Sequence, residues 1–149
     1  MRPMPLVHKM NELFYEGCAK GELRIRLCAK CKARFHFTSE WCPYCYSQKL
    51  SYTKASGRGK VSHFTVCHTS AYPEFDQFTP YILALIELDE GVRMMSNVLD
   101  CSIDRIRVGL RVKVRFETRG PGRTGPDPKD ATKPGEANRF VSLPMFVPA

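Results

Sequence analysis

Two C-x-x-C pairs, Cys28-Ala29-Lys30-Cys31 and Cys42-Pro43-Tyr44-Cys45, are separated by ten residues in a chain of 149. Two adjacent turns that each present a pair of thiolates can close a tetrahedron around one ion, with sulfur about 2.3 Å from the metal. Ala29 and Pro43 suit such turns, and the flanks Leu23-Arg24-Ile25-Arg26-Leu27 and Ala33-Arg34-Phe35-His36-Phe37 alternate like the ribbon strands around a zinc knuckle. A module of about 35 residues cannot stabilise itself through a hydrophobic core alone, so the ion would supply its folding energy. A redox dithiol needs only one pair. Two disulfides or a rubredoxin-type iron centre would use the same residues, and spacing alone does not separate iron from zinc. The reading carried forward is a zinc ribbon with one structural Zn²⁺ on Cys28, Cys31, Cys42 and Cys45. Four sulfurs leave the ion no open position and hence no metal-activated water. His36 reads as a ribbon-surface residue, and Cys18, Cys67 and Cys101 are unmatched thiols.

Around this module the periodicity sorts the chain into an N-terminal helical segment (1–21), the ribbon (22–55) and a β-barrel (56–149). Leu6 to Lys20 places Met10, Leu13, Phe14 and Gly17/Cys18 at helical spacing. From Lys60 onward the period is two. Leu110 to Glu117 alternates apolar and charged residues as a half-buried strand does, and Tyr81–Leu88 faces Val92–Leu99 across Asp89-Glu90-Gly91, an antiparallel hairpin. Val61–His68 and Phe140–Leu143, the latter ending before Pro144, complete five strands. Ser102 to Arg107 is one helical turn capped by Ser102 and stopped near Gly109. The predicted fold is mainly β: an N-terminal helix, a rubredoxin-like zinc ribbon and a five-stranded OB-fold barrel. Residues 118–138, rich in glycine and proline and nearly devoid of apolar residues, read as a mobile loop between the last two strands.

The formal charge is +8, and residues 1–60 hold twelve Lys/Arg against four Asp/Glu whereas the remainder is balanced. An anion-binding face therefore belongs to the first part. The longest near-apolar run, Tyr81–Ile86, is too short to span a bilayer, and the first residues form no export signal, which points to the cytoplasm. P-loop, dinucleotide, G-x-S-x-G and H-E-x-x-H signatures are missing. Cys67-His68 is the adjacent nucleophile–base pair worth naming, yet neighbours on a strand point to opposite faces. His63, His68, Glu74 and Asp76 form no required group, so no catalytic residue is assigned.

Two binding readings remain. Arg24, Arg26, Lys30, Lys32 and Arg34, interleaved with Phe35, Phe37, Trp41, Tyr44 and Tyr46, could neutralise phosphates and stack bases, which makes a single-stranded nucleic-acid-binding protein the alternative function. The same surface could hold the phosphates of coenzyme A or dock a partner, although Phe35 and Phe37 suit the small core around the metal better. Lys32, Arg34, Arg58 and Lys60, flanking the ribbon and the barrel entrance, are the CoA-phosphate candidates.

The order of landmarks then becomes specific: Phe14-Tyr15-Glu16-Gly17 and Gly21-Glu22-Leu23, the four cysteines, Ser56-Gly57-Arg58-Gly59-Lys60-Val61, Pro80-Tyr81-Ile82, Glu87-Leu88-Asp89-Glu90-Gly91, Arg107-Val108-Gly109 and Leu143-Pro144-Met145-Phe146. Over nearly the whole chain this resembles the zinc-ribbon and OB-fold proteins associated with acyl-CoA metabolism. The resemblance implies a small non-catalytic partner of thiolase-superfamily enzymes, accompanying thiolases, acyltransferases or thiolase-like aldolases that cleave steroid side-chain CoA thioesters. It implies a hetero-oligomer with acyl-CoA at the shared interface, metal ligands at Cys28, Cys31, Cys42 and Cys45, and reacting groups on the partner. With the helix face buried against that partner, Leu13, Phe14 and Tyr15 become contact candidates. The long loop at 118–138 departs from the family's short turn.

Overall fold

Alternation between apolar and polar residues builds most of the molecule. The computed structural model describes residues 3–5, 7, 9–36, 39–70, 73–120, 123–124, 126–127, 130–134 and 140–149. In chain order the elements are β1 (Pro3–Met4), α1 (Glu12–Ala19), β2 (Arg24–Cys28), β3 (Arg34–Phe35), β4 (Leu50–Lys54), β5 (Arg58–Cys67), α2 (Pro73–Asp76), β6 (Tyr81–Leu88), β7 (Arg93–Val98), β8 (Arg111–Arg119), β9 (Arg123–Thr124), β10 (Pro126–Asp127), β11 (Asp130–Pro134) and β12 (Val141–Pro148). Strands β3-β2-β4 make an antiparallel ribbon, and β12-β7-β6-β5-β8 close a barrel. Within the barrel β5, β6 and β7 meander, β8 returns beside β5, and β12 closes the ring between β8 and β7, where Phe146 lies parallel to Val98. This is the predicted five-stranded OB-type barrel.

Period two puts Ile82, Ala84, Ile86 and Leu88 of β6 and Met94, Ser96 and Val98 of β7 inside. The hairpin falls at Asp89–Gly91 as predicted: Gly91 supplies φ +78° and the Leu88 N–H bonds the Val92 carbonyl at 2.8 Å. Its acids tie the hairpin to its neighbours, Glu90 at the ribbon–barrel junction and Asp89 to β8 within the barrel. Glu90 Oε1 accepts the Ser56 N–H at 2.6 Å, and the Asp89 carboxylate takes both Arg111 nitrogens at 2.8 and 2.9 Å. Gly59 is required by a close approach, because a Cβ there would stand 2.5 Å from the Glu87 carbonyl oxygen of β6.

Several boundaries differ from expectation, each for a local reason. The helix predicted over Leu6–Lys20 is α1, beginning at Glu12, because Met10 is held outside it: its carbonyl accepts from Arg26 Nη2 at 3.0 Å and the Tyr52 hydroxyl at 3.1 Å. Leu6 lies outside the described residues. The apolar face of α1, expected against a partner, is buried in the chain's own core. Phe14, Cys18, Leu23 and Ile25 form one continuous cluster with Val61, Ile86, Val112 and Phe146 of the barrel. Helix, ribbon and barrel therefore share one interior.

Residues 102–107 make a single turn, with the Arg105 and Ile106 N–H groups on the Ser102 carbonyl, and the chain leaves at Gly109, whose N–H bonds the Val61 carbonyl. Strand β12 does not stop before Pro144 but runs to Pro148. Pro144 is tolerated because it lies where β12 is not laddered to β7, and its carbonyl takes the Ser96 hydroxyl at 2.7 Å. The short α2, with Pro73 at its first position, was not anticipated. Within 118–138, β8 extends to Arg119, β9 pairs parallel with β1, and β10 pairs antiparallel with β11. The remainder of that segment, and the mobility expected of it, lies outside the described residues. Among the described residues no helix is long and apolar enough to cross a membrane.

Candidate functional site

The ribbon is organised by its cysteines. Strand β2 delivers Cys28 to the first turn, and the loop between β3 and β4 carries the second. Each turn repeats one backbone pattern. Cys28 N–H bonds the Ala33 carbonyl while Lys32 N–H bonds the Cys28 carbonyl; fourteen residues on, Cys42 N–H bonds the Ser47 carbonyl while Tyr46 N–H bonds the Cys42 carbonyl, all within 2.9 to 3.0 Å. The paired turns aim four sulfurs at one point.

The Sγ atoms of Cys28, Cys31, Cys42 and Cys45 all lie within 4.8 Å of one another, with Cys28–Cys45 at 3.6 Å and Cys31–Cys42 at 3.5 Å. A tetrahedron with 2.3 Å bonds has edges of about 3.8 Å, so the geometry is that of a site for one structural zinc. No disulfide joins them. The Cys31 N–H points at the Cys28 sulfur at 3.5 Å and, as the main cause, holds that thiol at about 6, well below the ordinary thiol range. Four adjacent thiolates repel one another strongly, and a divalent cation at their centre removes that repulsion. Cys28, Cys42 and Phe35 form a small core beside the metal position, with Leu50 packed on it. Phe35 thus belongs to the mini-core; Phe37 lies outside the described residues. His36 is no fifth ligand. Its ring sits edge-on to Phe14, 5.5 Å between centroids, and burial lowers it to about 4.

The other predicted residues separate. Lys32 and Arg34 are exposed at the knuckle end of the ribbon, whereas Arg58 and Lys60 begin β5 beyond its other end. The β2–β4 ladder from Cys28–Leu50 to Arg24–Lys54 stands between them, roughly 13 Å of strand. Lys60 is already engaged, with its Nζ 3.2 Å from Glu87. Phe14, 2% exposed, is interior and presents nothing to a partner, while Leu13 is 49% exposed and Tyr15 half-buried. Cys18 is a core thiol pushed up to about 12 by burial. Cys67 closes β5 and His68 lies in the bend after it; His63 Nδ1 is 2.9 Å from the Ser62 hydroxyl; the Glu74 side chain lies outside the described residues.

Sequence reasoning missed a cleft of about 660 Å³ on the barrel, between β6, β7 and the turn after α2, lined by Phe75, Phe78, Tyr81, Leu83, Leu99 and Ile103. Its walls come from three separate stretches of chain, residues 70–83, 97–103 and 117–119, so only the closed barrel reveals it. It also missed Glu90 as the clamp of the ribbon–barrel junction and Asp89 as the tie between the hairpin and β8.

Comparison with known proteins agrees with this architecture. Residues 16–51 match the ChsH2 rubredoxin-like zinc ribbon domain and residues 52–117 the ChsH2 C-terminal OB-fold domain. A DUF35 domain-containing scaffold protein of Methanothermobacter thermautotrophicus is 36% identical over 90 residues, covering 60% of this chain and 67% of the relative. A protein of Thermomonospora curvata described as a "probable enoyl-CoA hydratase alpha subunit" is 32% identical over the whole chain, which spans only 40% of that relative's length. Among solved structures, one described as Ltp2-ChsH2(DUF35) aldolase superposes with a TM-score of 0.73 at 28% identity, covering 97% of this chain and 98% of the other. The paired sulfur turns and closed barrel of this chain correspond to the two matched domains, and the chain belongs to the DUF35 family of zinc-ribbon and OB-fold proteins.

Proposed function

We propose that this chain is a non-catalytic accessory subunit, or scaffold, of a thiolase-superfamily enzyme in the cytoplasm, and that it helps position acyl-CoA where the two polypeptides meet. The observation that carries the reading is the end-to-end correspondence with a chain of the structure described as Ltp2-ChsH2(DUF35) aldolase. The hydratase-subunit relative, in which the matched region is a minor part of a longer chain, supports a module that works beside catalytic polypeptide.

The site chemistry is consistent with a supporting role. A metal held by four cysteines has no position for substrate or water, so its contribution is to hold the ribbon rigid. Lys32 and Arg34 remain the exposed phosphate candidates, and the barrel cleft falls within the size range of small-molecule sites. The partner would be a thiolase, an acyltransferase or a thiolase-like retro-aldolase, the last acting on steroid side-chain CoA thioesters. Such a subunit raises the partner's rate by ordering the entrance and the bound thioester.

The test is coexpression with thiolase-superfamily enzymes of the same source, followed by gel filtration in 0.1 M and 1 M salt. A hetero-oligomer that persists at both is expected. Copurifying nucleic acid that leaves as salt rises, with no protein partner, would favour the single-strand-binding alternative instead.

A further inference from the structure

The two knuckles share a second property. Four residues after the first cysteine of each pair the backbone is left-handed, with φ +61° at Lys32 and +56° at Tyr46. Glycine takes this conformation freely, whereas an L side chain is disfavoured there by about 1–2 kcal/mol. Neither side chain compensates by packing inside: Lys32 is exposed and Tyr46 is 77% exposed. Strain kept at two equivalent positions for side chains that reach only outward points to use of those side chains outside the chain.

The surroundings agree. Tyr44 and Trp41 of the same loop are 69% and 49% exposed. Tyr46 borders a depression lined also by Lys30, Ser47 and Lys49. Among the described residues, Lys30, Lys32, Arg34 and Lys49 have no carboxylate within ion-pair distance, whereas Lys60 and Arg111 of the barrel each have one and Arg115 has two. Exposed aromatics supply the energetic centre of protein interfaces, and uncompensated cations around them steer an acidic counterpart.

We propose that the knuckle tip, with Tyr46, Tyr44 and Trp41 at its centre and Lys30, Lys32, Arg34 and Lys49 around them, is the surface by which this chain docks onto an acidic face of its catalytic partner. This rests on the proposed function and moves the interface from the helix to the ribbon. A protein face is favoured over a nucleic-acid strand because Lys30, Tyr46 and Lys49 border one local depression between the two turns. A strand needs a groove that follows its backbone.

The test measures binding of the full chain to its copurified thiolase-superfamily partner at two salt concentrations. Tyr46→Gly relieves the backbone strain, so it should retain one zinc and an equal or higher thermal midpoint while its dissociation constant rises at least about tenfold. Lys30→Glu combined with Lys49→Glu should slow association, with the effect shrinking as salt rises. Knuckle variants that bind like wild type, while Leu13→Glu abolishes the complex, would overturn the inference and leave the function intact. Loss of oligo-dT binding with an unchanged protein complex would overturn it too. A wild-type chain that binds no such enzyme would remove the underlying reading, and this inference with it.

Discussion

Gly17 shows how one residue can reverse a propensity argument. It lies in the middle of α1, where alanine would ordinarily stabilise a helix by about 1 kcal/mol. Here a Cβ would stand 2.7 Å from Cδ and 2.8 Å from Cγ of Arg24. Arg24 cannot easily yield, because its guanidinium bonds Glu22 at 3.0 Å and the Leu13 carbonyl at 3.2 Å. Gly17→Ala should therefore destabilise the chain by about 1 kcal/mol, and should do so no longer in an Arg24→Ala background. Urea melts of the four variants check this, and equal effects in both backgrounds would contradict it. His36 makes a second residue-scale case. Burial lowers its pKa from 6.5 to about 4, so the folded state holds the neutral ring while the unfolded chain takes up a proton first as pH falls. The contribution is complete above pH 6.5 and is lost progressively toward pH 4. Between pH 7 and 5 it amounts to about 2 kcal/mol, which His36→Phe should abolish relative to wild type. Parallel pH profiles for the two proteins would show that His36 is not the sensor.

At the scale of elements the zinc turns and the barrel strands are held by different means. The ribbon's own core is three buried residues, Cys28, Phe35 and Cys42, so its order depends on the ion. The barrel's interior does not. Chelation should strip hydrogen-exchange protection from residues 28–50 first, while Ile86 and Val112 stay protected; simultaneous loss throughout would contradict separate supports. Much of this was legible beforehand, because two simple signals coincide with two elements of structure. The C-x-x-C pairs set the metal position, and an apolar run closed by Asp89-Glu90-Gly91 placed β6 at Tyr81–Leu88. What was not legible depended on contacts distant in sequence. The start of α1 depends on Arg26 and Tyr52 reaching the Met10 carbonyl, and the continuation of β12 through Pro144 on the hydroxyl of Ser96. Of the phosphate candidates, Lys60 could not be known to face Glu87 until the β5–β6 register was fixed.

For the whole molecule, the decisive feature is that helix, ribbon and barrel share one core. A chain built this way presents its ribbon as a projection of the barrel, and the strained tip carries exposed aromatics and cations without a carboxylate partner among the described residues, while the core consumes the helix face. The account then makes a direct claim: this chain supplies structure and docking, and the partner supplies the reaction. The measurement that tests it is acyl-CoA turnover by a fixed amount of the thiolase-superfamily partner as this chain is titrated in, with the chain alone as control. The account predicts no turnover by the chain alone and a partner rate that climbs and saturates at a fixed stoichiometry. Turnover by the isolated chain, or a partner rate indifferent to its presence, would contradict it.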